Sequence, residues 1–325
     1  MRILVTGGSG FIGTNLTKLL HEKGISFINL DVSSPKESSL DRYWVPCSIL
    51  NYAAIDEQFH LFRPTAVIHL AAETDTDPSK TLTDYLVNTE GTQNIINAIK
   101  STNVVERLVH TSTQFVNQSI NGPLHDEDYD PHTIYGESKI TNEKQIRTAD
   151  LKCTWTIIRP TNIWGPWHLR YPFEFWKILA EGKYFHPGSN KVIRSYGYVG
   201  NVVSQIMKIL ELPAAEVNRK VYYVGDRPVY LYEWVNGFSI GQTGKKVVVL
   251  PRFFIYSLAL LGDLLRLIRI RFPITTPRYK SMTTDNPVNI DKTLAELGEP
   301  PYSLQQGIEE TVKWMKLHHP RLVKI

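Results

Sequence analysis

Cysteine is scarce: the 325 residues hold only Cys47 and Cys153. Two thiols so far apart match no metal-ligand spacing. They exclude a disulfide-stapled scaffold and fit free thiols in a reducing compartment. Charge of one sign is also lacking. The 36 basic and 32 acidic residues leave a net +4, and no basic block interleaved with aromatics occurs, so no nucleic acid partner is expected. Repeats and low-complexity segments are absent, which excludes solenoids and disordered linkers. The chain also lacks an uninterrupted apolar run of the roughly 20 residues needed to span a bilayer. The closest approach, PRFFIYSLALLGDLLRLIRIRFP (251–273), is broken by Asp263. It is expected to form a buried helix followed by a solvated basic turn. Contact of Arg266, Arg269 and Arg271 with an anionic membrane surface is the lesser alternative. The opening MRILVTGG enters a strand at once, without a signal-peptide layout, so the expected location is cytoplasmic.

What is present is an ordinary soluble composition, 42% hydrophobic and 21% charged, long enough for two lobes. Short apolar runs rich in β-branched residues read as buried strands: RILVT (2–6), FINL (27–30), AVIHL (66–70), RLVHT (107–111) and TWTIIR (154–159). Between them FIGTNLTKLLHEKG, YAAIDEQFHLF, TLTDYLVNTEGTQNIINAIK and YGESKITNEKQIRTA carry helical spacing, with Gly24 as the first helix's C-cap. This alternation predicts an α/β fold, a doubly wound parallel sheet of Rossmann type. The rhythm breaks at GPWHLRYPF. We therefore expect a dinucleotide domain over 1–165, to which the chain returns around 191–230, and a smaller substrate-binding α/β lobe over 166–325.

TGGSGFIG (6–13) follows the first strand and opens the first helix, with Gly7, Gly10 and Gly13 in place. Such glycines let the backbone turn tightly and approach a pyrophosphate at a helix N-terminus. Asp31 ends the second strand 18 residues past Gly13, near the roughly 20 expected for a carboxylate that binds the adenine ribose. A carboxylate there repels a 2′-phosphate, and DVSSP offers no arginine to receive one. NAD is therefore expected over NADP.

YGESK sets Tyr135 and Lys139 four residues apart, on one helix face. A tyrosine titrates near 10 alone, and a neighbouring ammonium favours its phenolate. Tyr135 is thus a candidate general acid/base, with Lys139 tuning it and holding the nicotinamide ribose. Thr113, 22 residues earlier at a strand end, supplies a second hydroxyl. Its neighbours Thr111 and Ser112 read as strand-end residues, and His69 as a satisfied core histidine.

TGGSGFIG, Asp31, HLAA (69–72), NTEGT (88–92), TSTQFV (111–116), YGESK and RPTNIWGP (159–166) together resemble the extended short-chain dehydrogenase/reductases, in particular their nucleotide-sugar epimerase/dehydratase group. The resemblance implies the catalytic set Thr113, Tyr135 and Lys139. It also implies cofactor contacts from Phe11, Ile12, Leu70, Ala71, Ala72, Asn88, Pro160 and Thr161. Gln114, Asn162 and Arg194 are expected at the substrate, the last two on its diphosphate, with Arg278 a weaker second candidate. A homodimer is a further family-level expectation.

Departures from that pattern narrow the chemistry. Members that eliminate water carry an acidic residue at the position of Phe115, and often an aspartate at that of Gln114. Neither residue here can move a proton, so hydride transfer without dehydration is expected: 4-epimerisation, ketone reduction or alcohol oxidation. Phe115 also occupies the place of the cysteine used by 3,5-epimerases. Ser48 replaces the aspartate that usually contacts adenine, leaving Ile49 as the expected apolar contact, and Asn117 and Asn201 replace a tyrosine and an aspartate. The apolar 251–273 segment, NIDKTLAELG and GIEETVKWM also resemble a sterol-dehydrogenase-like branch. A hydroxysteroid-type dehydrogenase is thus the alternative enzyme, and a non-catalytic dinucleotide-binding regulator the alternative outside enzymes.

Overall fold

The computed structural model describes residues 1–117, 122–188, 191–270 and 272–325, the side chains of residues 171 and 172 excepted. Arg271 falls outside the described residues. From the amino terminus the chain runs β1 (Arg2–Thr6), α1 (Phe11–Glu22), β2 (Ser26–Asp31), β3 (Trp44–Pro46), α2 (Tyr52–Phe62), β4 (Ala66–His69), α3 (Leu86–Thr102), β5 (Arg107–Thr111), α4 (Ile134–Thr148) and β6 (Thr154–Pro160). A later strand, β7 (Lys220–Val224), joins them in one sheet of order β7-β6-β5-β4-β1-β2-β3. Every neighbouring pair is parallel. This is the doubly wound α/β sheet that the strand–helix alternation predicts. Periodicity does not reveal β3, which is three residues long, or β7, which lies far from the regular alternation.

The strands are apolar on both faces because helices cover both. On one face Leu4, Val67, Leu108 and Ile157 pack with Ile55 and Phe59 of α2, Ile95 and Ile99 of α3, and Ile146 of α4. Asn51 caps α2 by accepting from the Ala54 amide at 3.2 Å. Gly24, at φ +64, ends α1 with its N–H on the His21 carbonyl.

The chain forms two compact units, Met1–Ile163 with Val199–Gly225 and Asn289–Pro301, and Trp164–Tyr198 with Asp226–Val288 and Tyr302–Ile325. The second unit has an aromatic core in which Trp164 packs edge-on against Phe238 (centroids 5.3 Å apart) and Trp234 (6.1 Å). One element there overturns its expectation. The helix Arg252–Leu267 buries only Ile255, Ala259 and Gly262. Gly262 meets the Ile274 carbonyl so closely that no Cβ would fit, so the helix is fastened along a narrow stripe and most of its other apolar side chains face outward. It is not the buried helix read from composition.

Candidate active site

Parallel strands all end on the same edge, so residues just past β1, β2, β4, β5 and β6 converge there. The chain passes from β1 to β2 and β3 on one side, then crosses to β4 on the other. Between β1 and β4 the connections diverge and leave a crevice, with the glycine turn on one flank and Leu70–Ala72 on the other.

Gly7 has φ +73, and a Cβ there would stand 2.6 Å from the Ala71 amide nitrogen and 2.9 Å from the Leu70 carbonyl carbon. Glycine alone meets both the left-handed backbone and the close approach. Leu70 and Ala71 are pinned by their amides to the Thr6 carbonyl (3.0 Å) and hydroxyl (3.3 Å). Gly13 is equally forced, because its Cβ would overlap the Gly7 carbonyl oxygen. Gly10 differs. The one atom near its Cβ position is the Gly7 carbonyl oxygen at 3.2 Å, so the protein itself leaves space there. Gly10 is the N-cap of α1, which has no side-chain cap and no acid in its first turn, where Phe11 and Ile12 lie half-buried. Open space at an uncapped helix N-terminus fits the pyrophosphate of a dinucleotide.

Asp31 is held against this turn. Its carboxylate accepts from the Ser9 amide at 3.0 Å and the Ser33 amide at 2.9 Å. Each oxygen keeps a lone pair for an incoming hydroxyl. We expect Asp31→Ala to weaken NAD binding about tenfold or more, as loss of hydrogen bonds to a charged group does, and to narrow the preference over NADP. Titrating both dinucleotides by fluorescence checks this; an unchanged ratio of affinities would remove Asp31 from the ribose. Ile49 is 5% exposed and packs on α3, its Cδ1 2.5 Å from a Cβ position on Gly91. Asn88 is also committed to the protein. Its carbonyl oxygen accepts from the Glu73 amide (2.8 Å), and its NH2 donates to the Glu73 carbonyl (3.0 Å) and to Ser138 Oγ (2.8 Å). Both donors are spent bracing the loop after β4 against α4, so Asn88 positions this wall of the crevice.

The candidate reacting groups are grouped where α4 begins. Thr133 caps the helix by accepting from the Gly136 amide at 3.0 Å. The first turn sits on the 3-10 turn Gln114–Val116, for a Cβ on Gly136 would lie 2.5 Å from the Phe115 carbonyl oxygen. This contact places Tyr135 beside the end of β5. The Phe115 ring stands edge-on to Tyr135 with centroids 6.2 Å apart, and Tyr85 lies at the same distance. Thr113 Oγ1 accepts from the Phe115 amide at 3.3 Å, which leaves its proton for a ligand. Ser112 and Thr111 hydroxyls are buried without partners among the described residues.

Lys139, one turn beyond Tyr135, is 2% exposed and has no hydrogen-bond acceptor among the described residues. Burial pulls its pKa down to about 7, against the upward pull of the Glu143 carboxylate. A buried ammonium without an acceptor fits an outside diol such as a ribose. The two histidines nearby stay neutral. His69 is driven to about 3 by burial and by Lys139, with its nitrogens on Thr6 (2.6 Å) and Thr92 (3.1 Å). His110, 5.3 Å from it between ring centroids, is lowered by the same causes.

The lysine's position implies a stability cost with a definite pH window. Its pKa is lower folded than unfolded, so the unfolded chain binds more protons between about 7 and the unperturbed value near 10.4. The penalty is present in full below about pH 7 and fades as pH rises through that window. Lys139→Met should therefore stabilise the cofactor-free protein by a few kcal/mol at pH 6 and by much less at pH 10. Thermal unfolding at both values tests it; an equal shift at both would contradict it.

At the sheet edge beyond β6, Thr161 donates its amide to the Val224 carbonyl at 3.0 Å, and its buried hydroxyl, next to Pro160, has no described partner. Gln114 donates to Asn162 Oδ1 at 3.1 Å, while Gln114 Oε1 is buried and unpartnered. The structure thus brings together two residues read separately as substrate contacts. Arg194 lies in the second unit, on the strand Ile193–Arg194, half-buried and without an ion pair among the described residues. Arg278 spends a guanidinium N–H on the Pro273 carbonyl.

One constellation escapes sequence reading. Arg159, fully buried, grips Glu143 through Nε (2.9 Å) and Nη2 (2.8 Å), and also reaches the Asp126 carbonyl and Tyr223 hydroxyl. The clue is an arginine in the otherwise uncharged, buried strand TWTIIRP, which requires a buried acceptor.

The chain is 28% identical to the N-acetyl-alpha-D-glucosaminyl-diphospho-ditrans,octacis-undecaprenol 4-epimerase of Escherichia coli O157:H7, over 97% of this chain and 96% of that one. It is 31% identical to the UDP-glucose 4-epimerase of Vibrio cholerae, over 96% and 94%. The fold matches the crystal structure of a UDP-glucose 4-epimerase with UDP-glucose from Thermotoga maritima, with a TM-score of 0.73, 23% identity and coverage of 98% and 99%. The model of the NAD dependent epimerase/dehydratase family matches residues 3–225, more than half of the chain, and the chain belongs to that NAD-dependent family.

Proposed function

We propose that the protein is an NAD-dependent 4-epimerase of a sugar carried on a diphosphate. The observation that carries this reading is the seating of α4 on the Thr113–Phe115 turn. It brings Tyr135 against the turn that follows Thr113, with the Phe115 ring 6.2 Å from the Tyr135 ring, which supports a tyrosine and threonine acting on one oxygen with a hydrocarbon ring, not an acid, at the neighbouring position.

Bound NAD would supply reversible hydride acceptance at the sugar carbon. Gly7, Gly10, Gly13, Phe11 and Ile12 would hold its pyrophosphate, Asp31 the adenine ribose, and Lys139 the nicotinamide ribose. Leu70, Ala71, Ala72, Pro160 and Thr161 would wall it. Tyr135 moves the proton of the sugar hydroxyl, Thr113 hydrogen-bonds the same oxygen, and Lys139 favours the phenolate. Asn162 would meet the sugar diphosphate, and Gln114, which donates to Asn162, would offer its unpartnered Oε1 to a substrate hydroxyl. Phe115 cannot abstract a C5 proton, so dehydration has no base. The named relatives act on sugars joined to undecaprenyl diphosphate or to UDP, which supports a diphosphate handle. A nucleotide is the first reading of the carrier. A lipid carrier is the second, favoured by the outward apolar face of the Arg252–Leu267 helix.

The test is to purify the protein, assay retained NAD, and incubate it with a panel of nucleotide sugars and lipid-linked diphosphate sugars. The expected product is a 4-epimer with no net change in reduced nicotinamide. Stoichiometric NADH consumption would make it a reductase, and a 4-keto-6-deoxy product would restore dehydration. Arg194→Ala should raise KM about tenfold, as loss of a charge-assisted hydrogen bond does, with kcat preserved. Unchanged KM on every diphosphate substrate, with turnover of a hydroxysteroid, would favour the alternative dehydrogenase.

A further inference from the structure

A surface helix ordinarily turns its polar face to water. The Arg252–Leu267 helix does the reverse. Phe253 is 73% exposed, Leu264 62% and Leu267 80%, with Phe254, Tyr256, Leu260 and Leu261 also exposed. The apolar exposure begins just before the helix at Val248 and Val249 and continues after it to Ile268 and Ile270. Eleven of the 24 large apolar residues exposed on the described surface fall within 248–270. This is a patch, not the scatter normal for a monomer.

Its charge identifies what covers it. Residues 251–280 hold six Lys/Arg and one acid, a net +5, whereas the remaining chain has 30 basic and 31 acidic residues, a net −1. The one acid is half-buried and engaged: Asp263 accepts from the Thr276 hydroxyl at 2.6 Å and its amide at 3.2 Å. Arg266 and Arg269, at the helix end, are exposed, and their stems can lie along the apolar face while the guanidiniums reach outward. Tyr256 and Tyr279, with ring centroids 5.2 Å apart, and Lys280 line an adjoining groove of about 460 Å3. Tyrosines and cations beside an apolar face are the composition of a helix lying at a lipid headgroup boundary. A neutral protein partner would call for the apolar residues but not for the segregated positive charge. No helix among the described residues is long and apolar enough to cross a membrane.

We propose that the outward face of the Arg252–Leu267 helix docks on an anionic lipid bilayer, with its phenylalanines and leucines in the interface and Arg266 and Arg269 among the headgroup phosphates. This does not rest on the reaction proposed above, since docking is measured without substrate.

Full-length protein would be sedimented with phosphatidylcholine vesicles, with and without phosphatidylglycerol, at low and high salt. The expected result is strong binding to the phosphatidylglycerol vesicles, weakened by salt. The triple variant Phe253→Ser, Leu264→Ser, Leu267→Ser should partition roughly tenfold less or weaker still, because each side chain loses its transfer from water. Arg266→Glu with Arg269→Glu keeps the apolar face and should cost roughly fivefold per charge; this pair decides the matter should the triple variant fail to fold. The proposal is overturned if the wild type ignores both vesicles, or if both variants bind as the wild type does. It is equally overturned if light scattering shows a wild-type multimer that the variants break up while vesicles bind neither.

Discussion

Tyr135→Phe is expected to lower kcat about a hundredfold to ten-thousandfold, the usual contribution of a positioned general acid/base, and to leave NAD binding nearly unchanged. The substitution removes one oxygen and keeps the ring. The edge-on contact with Phe115 and the tilted contact with Tyr85 persist, as does the seat of Gly136 on the Phe115 carbonyl. A fold effect is therefore small, and the loss falls on proton transfer. Thr113→Val, which deletes a hydrogen bond and no proton carrier, should cost about tenfold. Steady-state kinetics with a competent sugar, alongside a cofactor-binding titration, separates the two roles. Tyr135→Phe with undiminished kcat would end the assignment, and with it the enzyme reading.

Arg159→Met carries the largest expected effect on stability, about 3–5 kcal/mol. Arg159 and Glu143 are both completely buried and joined by two hydrogen bonds. Removing Arg159 leaves the Glu143 carboxylate in the interior without its two short charge-assisted bonds, with only Arg147 at 3.7 Å and the Tyr129 hydroxyl, which donates at 3.1 Å, to offset it. Removing both, as Arg159→Met with Glu143→Leu, should regain most of the loss, since an apolar pair of similar volume often replaces a buried ion pair without penalty. Urea unfolding of the four proteins of this cycle measures the coupling; additive losses would show that the pair does not act as one unit. Glu143 also lies one turn from Lys139 on α4 and raises its pKa. The pair thus anchors the helix that carries Tyr135 and contributes to the electrostatics of its lysine.

Much of the first unit was legible because its signals are local. β1, β5 and α2 coincide with their apolar patterns, RILVT, RLVHT and YAAIDEQFHLF, to the residue. Periods of two and 3.6 follow from backbone geometry that neighbouring residues share. The glycine turn, Asp31 at a strand end and the Tyr135–Lys139 spacing are of the same kind: each is a relation among residues of one turn or one βα unit. β3 and β7 were not legible, being placed by the edges of a sheet assembled from distant segments.

The sequence by itself determined the α/β class, the parallel sheet and the side chains offered at its C-terminal edge, because local spacing dictates which face each residue takes. Only the tertiary structure decided that Gln114 pairs with Asn162, that Asn88 spends its amide on the wall of the crevice, and that Arg159 finds Glu143. It alone decided too that the apolar helix after Pro251 faces outward. Those outcomes depend on which surfaces meet across long stretches of chain, and a pattern of apolar residues specifies that a face will be covered without specifying by what.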